Sequence, residues 1–124
     1  MRIIIAEPDT SRQRQLRTIL TSLGHKSADV ETALDSKTTM SLLRKKRFDI
    51  AFFCHAPLSF DGLKLVQDIR SSNSKSLPIV LYSSSLDRET LLSANECGAN
   101  GFLAYPFSVS DVEDSIATAI KRAG

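Results

Sequence analysis

This 124-residue sequence predicts an α/β fold, a parallel sheet with helices packed on both faces. Two observations carry that expectation. The run Ile50–Cys54 (IAFFC), bounded by Asp49 and Pro57, shows no polar alternation, so both faces of a strand there are buried, as at the centre of a parallel sheet. Along the chain, short apolar runs alternate five times with segments of helical periodicity, and the connections are short, the pattern of right-handed crossover units. Open sheets of this type place ligands and chemistry just outside the carboxyl ends of their strands. At that end of the central run stands Cys54.

Taken in order, Arg2–Ala6 (RIIIA) is a β-branched run that reads as a buried strand. Glu7-Pro8-Asp9-Thr10 breaks it, and Asp9 or Thr10 caps a helix carrying Leu16, Ile19, Leu20 and Leu23 until Gly24 stops it. His25–Val30 is a weaker, mixed strand near a sheet edge. A second helix begins near Ser36, carries Met40, Leu42 and Leu43, and runs up to the basic cluster Arg44–Arg47. After the central strand, Asp61-Gly62 opens a third helix with Leu63, Leu65, Val66 and Ile69 as its apolar positions, and Ser71–Ser76 is a polar loop. Ile79–Tyr82 is the fourth strand, ending in Ser83–Ser85; Asp87–Cys97 is a helix stopped at Gly98. Gly101–Ala104 is a short fifth strand ending at Tyr105-Pro106. The last helix starts near Ser108 and lines up Val109, Val112, Ile116, Ala119 and Ile120 on one face. With no repeat, linker or low-complexity tract, residues 1–124 read as a single domain.

Composition narrows the function classes. Hydrophobic content of 42% and charged content of 24% are those of an ordinary globular protein. The net charge of +2 is far from the concentrated basic charge of a nucleic-acid binder. The basic clusters Arg44–Arg47 and Lys121-Arg122 fall at helix ends, where cations complement the dipole, and solvation of those ends is the preferred reading over a phosphate patch. No segment approaches the ~20 apolar residues of a membrane span, and Glu7-Pro8-Asp9 interrupts anything like a signal peptide, so a cytoplasmic protein is expected. Cys54 and Cys97 lie far apart without CxxC spacing or paired histidines, which leaves a disulfide framework, a zinc site or any other cofactor without support. Glycine-rich nucleotide motifs and a GxSxG nucleophile are absent as well, and no enzyme is expected.

Several stretches, in order and in register, resemble the receiver domain of bacterial two-component response regulators over essentially the full length. IIIAEPD resembles the family's first strand and acidic turn, FDIAFFC its third strand, and LPIVLYSS its fourth; Asp61-Gly62 falls where the family carries Asp-Gly, and CGANGFLAYPF resembles GAxxYLxKPF. The resemblance implies a five-stranded sheet of order 2-1-3-4-5 with five helices, and a switch driven by a histidine kinase. It further implies a phosphoacceptor aspartate at the end of the third strand, two acidic residues that help hold Mg²⁺ after the first, a Ser or Thr after the fourth, and a Lys before a proline. In this sequence Glu7 and Ser83 match, whereas Pro8, Cys54 and Tyr105 occupy the second acidic, acceptor and lysine positions. Phe102 matches the family's switch aromatic, and Pro106 the proline whose peptide bond is usually cis.

The departures have chemical consequences. Mg²⁺ takes oxygen ligands in octahedral geometry and is poorly served by a thiol. Glu7 is then left with no partner but a backbone carbonyl at Ala56, because Asp9 is better placed to cap a helix. The cation contributed by the family's lysine is lost at Tyr105, since a phenol carries no positive charge. Cys54 reads first as a buried small hydrophobe, with Glu7 raising its pKa. His55 reads as a loop histidine, and Ser83–Ser85 as a turn at a strand end.

The sequence therefore points to a pseudo-receiver, a signalling and protein-interaction module that works without phosphorylation of its own. The alternative is a thiol sensor in which modification of Cys54 replaces aspartyl phosphorylation. The family's interaction face, fourth helix, fifth strand and fifth helix, maps to Arg88, Leu91, Asn95, Tyr105, Asp111, Asp114 and Lys121. The resemblance implies a protein partner: a histidine kinase, an output domain, another regulator or a second copy of the chain. The sequence is compatible with a stand-alone receiver and with one piece of a longer regulator.

Overall fold

A computed structural model describes residues 1–72 and 76–123. Five strands, β1 (Ile3–Ala6), β2 (Val30–Ala33), β3 (Ile50–Cys54), β4 (Ile79–Ser83) and β5 (Gly101–Ala104), alternate with five helices. These are α1 (Thr10–Ser22), α2 (Ser36–Lys45), α3 (Gly62–Ser71), α4 (Arg88–Cys97) and α5 (Val109–Ala123). All neighbouring strands are parallel, in the order β2-β1-β3-β4-β5. That is the topology the resemblance implied. Every residue of β1, β3 and β4 is buried, as runs without polar alternation require at the centre of such a sheet. The polar loop expected over Ser71–Ser76 lies partly outside the described residues, at 73–75, and Ser71 itself ends α3. Among the described residues no helix is long and apolar enough to cross a membrane.

Helix starts follow the side-chain chemistry. Asp9, Asp35, Asp61 and Asp87 each accept backbone N–H groups at the entry to α1, α2, α3 and α4, and the Ser108 hydroxyl accepts from Asp111 N at α5. Two expectations shift. The second strand is Val30–Ala33 and not His25–Val30, because Ser27–Asp29 forms a 3₁₀ turn that Arg17 holds by donating to the carbonyls of Ser27 and Val30. It is the edge strand foreseen, with only Val30 and Ala33 buried. On α5 the buried stripe is Val112, Ser115 and Ala119, while Val109 and Ile120 are exposed, since the i, i+3, i+7 row faces the sheet and residues outside it turn away.

Two glycines govern how closely the helices pack at the two ends of the sheet. Gly98 adopts φ +103° and ends α4 as a left-handed cap. Arg70 of α3 donates to its carbonyl at 3.0 Å and to Asn100 Oδ1 at 2.6 Å, and that oxygen also accepts from Ile79 N at the start of β4. At the other end of the sheet, a Cβ on Gly62 would lie 2.3 Å from the Cys54 carbonyl oxygen and 2.8 Å from Leu81 Cδ1. Only a glycine lets α3 begin so close to the end of β3. Gly62→Ala is therefore expected to lower stability by about 2 kcal/mol through overpacking against backbone, and Gly24→Ala, at φ +98° in open space, by about 1 kcal/mol. Urea unfolding of the two variants checks the order; equal losses would refute the close-approach argument.

Candidate functional site

The carboxyl end of the sheet brings together Glu7 after β1, Cys54 at the end of β3, Ser83 at the end of β4 and Tyr105 after β5. Glu7 is fully buried, its amide bonded to Ala33 O at 2.9 Å and its carbonyl accepting from Gln13 Nε2 at 2.8 Å. Its carboxylate accepts four hydrogen bonds from Arg12, Tyr82 and the Asp9 backbone. Oε1 takes Arg12 Nε at 3.1 Å and the Tyr82 hydroxyl at 2.8 Å; Oε2 takes Asp9 N at 3.0 Å and Arg12 Nη2 at 3.3 Å. The guanidinium of Arg12 also lies 5.7 Å from the centre of the Tyr105 ring, a cation–π distance. Tyr105 and Tyr82 both meet Phe107 edge-to-face with centroids 5.1 Å apart.

The cation expected to be lost with the lysine position is therefore present, supplied by α1. Arg12 sits in the first turn of its helix, where the dipole disfavours a positive side chain, and that misplacement is the signal by which it could have been found. Tyr82 is the other residue sequence reasoning missed. A phenol closing the aliphatic run IVL in a buried strand has to find a hydrogen-bond partner, and Glu7 is that partner. The electrostatics reflect both contacts. The hydrogen bond to Glu7 holds the Arg12 pKa up against desolvation, and burial followed by the charge of Glu7 pushes the Tyr82 phenol far up.

Cys54 is 4% exposed. Burial first, then the charge of Glu7 and a hydrogen bond to it, push its thiol from 9.0 up to about 12. Ser83 is buried, and its hydroxyl accepts from Ser85 N at 3.2 Å, the strand-end turn that was expected. Pro8 is partly exposed beside Glu7, and the Tyr105-Pro106 peptide is cis. His55 lies in the loop after β3, as expected, and is buried there at 7% exposure, because its Nδ1 accepts from Gly62 N at 3.1 Å and the ring is drawn under the start of α3. Beyond it Ala56 and Phe60 pair across a tight turn that leaves Leu58 fully exposed at its tip. The Ala56 carbonyl, a candidate metal ligand, accepts from Ser59 N and Phe60 N instead. Asp9 caps α1 through Ser11 N and Arg12 N.

These residues do not fit Mg²⁺, which takes about six oxygens. One carboxylate faces the site, its acceptor positions are filled, and a guanidinium lies against it. Among the described residues no three His, Cys, Asp or Glu side chains gather as a metal site. The cavity bounded by Arg12, Cys54, His55, Ser83 and Tyr105 measures about 40 Å³, room for about one water.

Residues 3–117 match the profile of the response regulator receiver domain. The chain belongs to that family. It is 24% identical over 123 residues to chemotaxis protein CheY-3 of Vibrio cholerae, covering 98% of this chain and 93% of that protein. It is 25% identical over 122 residues to the transcriptional regulatory protein RprY of Bacteroides fragilis, where the match spans 98% of this chain and 50% of the relative. Among solved structures, the receiver domain of Francisella response regulator 1452 superposes with a TM-score of 0.84 at 20% identity, over 99% of this chain and 98% of that one. The NtrX receiver domain of Brucella abortus also reaches 0.84, at 23% identity, over 96% and 98%. At these identities the structural likeness speaks for the receiver fold alone.

On the face formed by α4, β5 and α5, Arg88, Asn95, Asp111, Asp114 and Lys121 are exposed, Leu91 and Tyr105 partly so. Leu92 is the exposed leucine of α4, at 54%, and Arg122 takes a place beside Asp111 and Asp114 along a trough of about 320 Å³ under Phe102, which Lys121 does not reach. Phe102 is half-buried.

Two predictions test the site. Arg12→Met leaves Glu7 buried without its cation and is expected to lose about 3 kcal/mol, the low end for a broken buried pair, since Arg12 keeps 29% of its side chain exposed. Adding Glu7→Gln should restore much of that loss in urea unfolding; a double variant as weak as the sum of the singles would refute the pairing. The raised Cys54 pKa sets a pH window. Below pH 9 the thiol is neutral folded and unfolded, and its full contribution is present. Above it the unfolded thiol ionises first, so stability falls as pH rises from about 9 to 12. Cys54→Ala should flatten that fall, and an unchanged slope would count against it.

Proposed function

We propose that this receiver domain is a pseudo-receiver, which signals through protein contacts and not through phosphorylation of its own. Receiver domains are in general signalling modules that interact with kinases and output domains. One observation carries the reading: the buried carboxylate of Glu7 is already neutralised by Arg12 and saturated by Tyr82 and Asp9 N. A thiol stands at the end of β3, so no acyl phosphate can form there. A pocket of about 40 Å³ with balanced internal charge has neither a place nor an attraction for a metal and a phosphoryl group. Contacts then run through the α4–β5–α5 face, where Arg88, Asn95, Asp111, Asp114 and Lys121 project, toward a kinase, an output domain or a second copy.

The thiol-sensor alternative is weakened by the same geometry. A reactive cysteine needs exposure and a low pKa, and Cys54 has the opposite of both. Iodoacetamide at neutral pH should modify the half-buried Cys97 before Cys54; selective modification of Cys54 would revive the sensor. The direct test of the main reading adds Mg²⁺ and beryllofluoride, a mimic of the aspartyl phosphoryl group, to isotope-labelled protein. Amides of Glu7, Cys54 and Ser83 are expected not to shift, and saturable shifts there would defeat the proposal.

A further inference from the structure

The amino end of the sheet, opposite the Glu7 pocket, carries a second feature. There the end of α2 and the entries to β3 and β4 enclose an open trough of about 610 Å³, within the usual size range of binding sites. Its rim is formed by four successive exposed cations, Arg44, Lys45, Lys46 and Arg47, and by Asp49, whose carboxylate accepts from Arg2 N at 2.6 Å; Leu43, Leu77 and Pro78 supply its apolar lining, and Phe48 is buried beneath it. Of the four, Lys46 alone has an ion-pair partner among the described residues, Glu31 of β2. Helix-end complementarity accounts for Arg44 and Lys45, in the last turn of α2, but not for Arg47. The dipole amounts to about half a charge and acts within the last turn, whereas Arg47 lies beyond the extended residue that ends α2. Like charges crowded around a recess repel one another, and Asp49, the carboxylate in the same lining, accepts from Arg2 N and forms an ion pair with none of them among the described residues.

We propose that this trough binds an extended acidic segment of a partner protein, with an apolar side chain against Leu43, Leu77 and Pro78 and flanking carboxylates on Arg44, Lys45 and Arg47. A protein occupant fits better than a nucleic acid. Arg2 covers the Phe48 ring at 5.8 Å, so no base can stack on it, and a phosphate chain has no aliphatic group to meet the apolar lining. The cluster is also a single short stripe on a chain of net charge +2. A membrane surface meets the rim but cannot enter the recess.

The test titrates the isotope-labelled full chain with a blocked pentapeptide of two glutamates on either side of a leucine. Saturable amide shifts are expected over 44–49 and 76–77 while Glu7 and Ser83 stay still, so the outcome is independent of the pocket's own test. Binding should weaken about tenfold on raising the ionic strength to about 0.3 M. It should weaken as much in the variant Arg44→Ser, Lys45→Ser, Arg47→Ser, whose remaining spectrum reports an intact fold and which keeps Lys46 on Glu31. The proposal is overturned if no saturable shifts appear, or if the triple variant binds as tightly. It is also overturned if duplex DNA or phosphatidylserine vesicles produce the same shifts at equal or lower concentration.

Discussion

A carboxylate with no exposed surface is the constraint around which the upper half of this domain is arranged. An unpaired charge there would carry a desolvation penalty of several kcal/mol, so Glu7 can persist as an anion only if its neighbours supply a cation and fill its lone pairs. Arg12 reaches back from the first turn of α1, Tyr82 reaches across from β4, and the backbone of Asp9 closes the remaining side. Each partner fixes something else in turn. Tyr82 and Tyr105 are both braced on Phe107, and the Tyr105 ring lies against the guanidinium. The thiol of Cys54 sits under this assembly in its neutral form. An internal ion pair thereby satisfies electrostatically what a bound metal satisfies in a site rich in carboxylates.

Much of this was legible in the sequence, for a simple reason. Strands buried on both faces leave unbroken apolar runs, so β1, β3 and β4 and the residues just beyond them could be located by inspection, and with them Glu7, Cys54 and Ser83. The caps Asp9, with Thr10 as its alternative, and Asp61 were legible because a cap is a local interaction between near neighbours, whereas Asp35 was passed over for Ser36. Edge strand β2 was shifted because only Val30 and Ala33 face the core, which leaves no periodic signal. Arg12 and Tyr82 were missed for a different reason. Tyr82 meets Glu7 across the sheet end over a separation of 75 residues, which no local pattern encodes, whereas Arg12 is marked only by its unfavourable place in the first turn of α1. The burial of His55 within its loop was not legible, because it depends on the close approach that Gly62 permits.

Charge is distributed unevenly between the two ends of the sheet. At the carboxyl end the capping aspartates meet helix amino termini, and the one buried anion has its own cation, so little net charge is offered to a visitor. At the amino end, Arg44, Lys45 and Arg47 have no partners among the described residues and surround an apolar recess. The electrostatically active end of this receiver domain is thus the one away from the family's phosphorylation pocket.

The bonds made by Arg70 also have a mechanical meaning. By holding the Gly98 carbonyl and the Asn100 side chain, which in turn anchors the start of β4, it pins the carboxyl end of α4 to the body of the domain. The opposite end begins at Arg88 with a single capping aspartate on an exposed loop. The helix is then a lever with its fulcrum at Gly98. Ten residues make an arm of about 15 Å, so a tilt of about 10° carries the Arg88 end through about 3 Å while Cys97 scarcely moves.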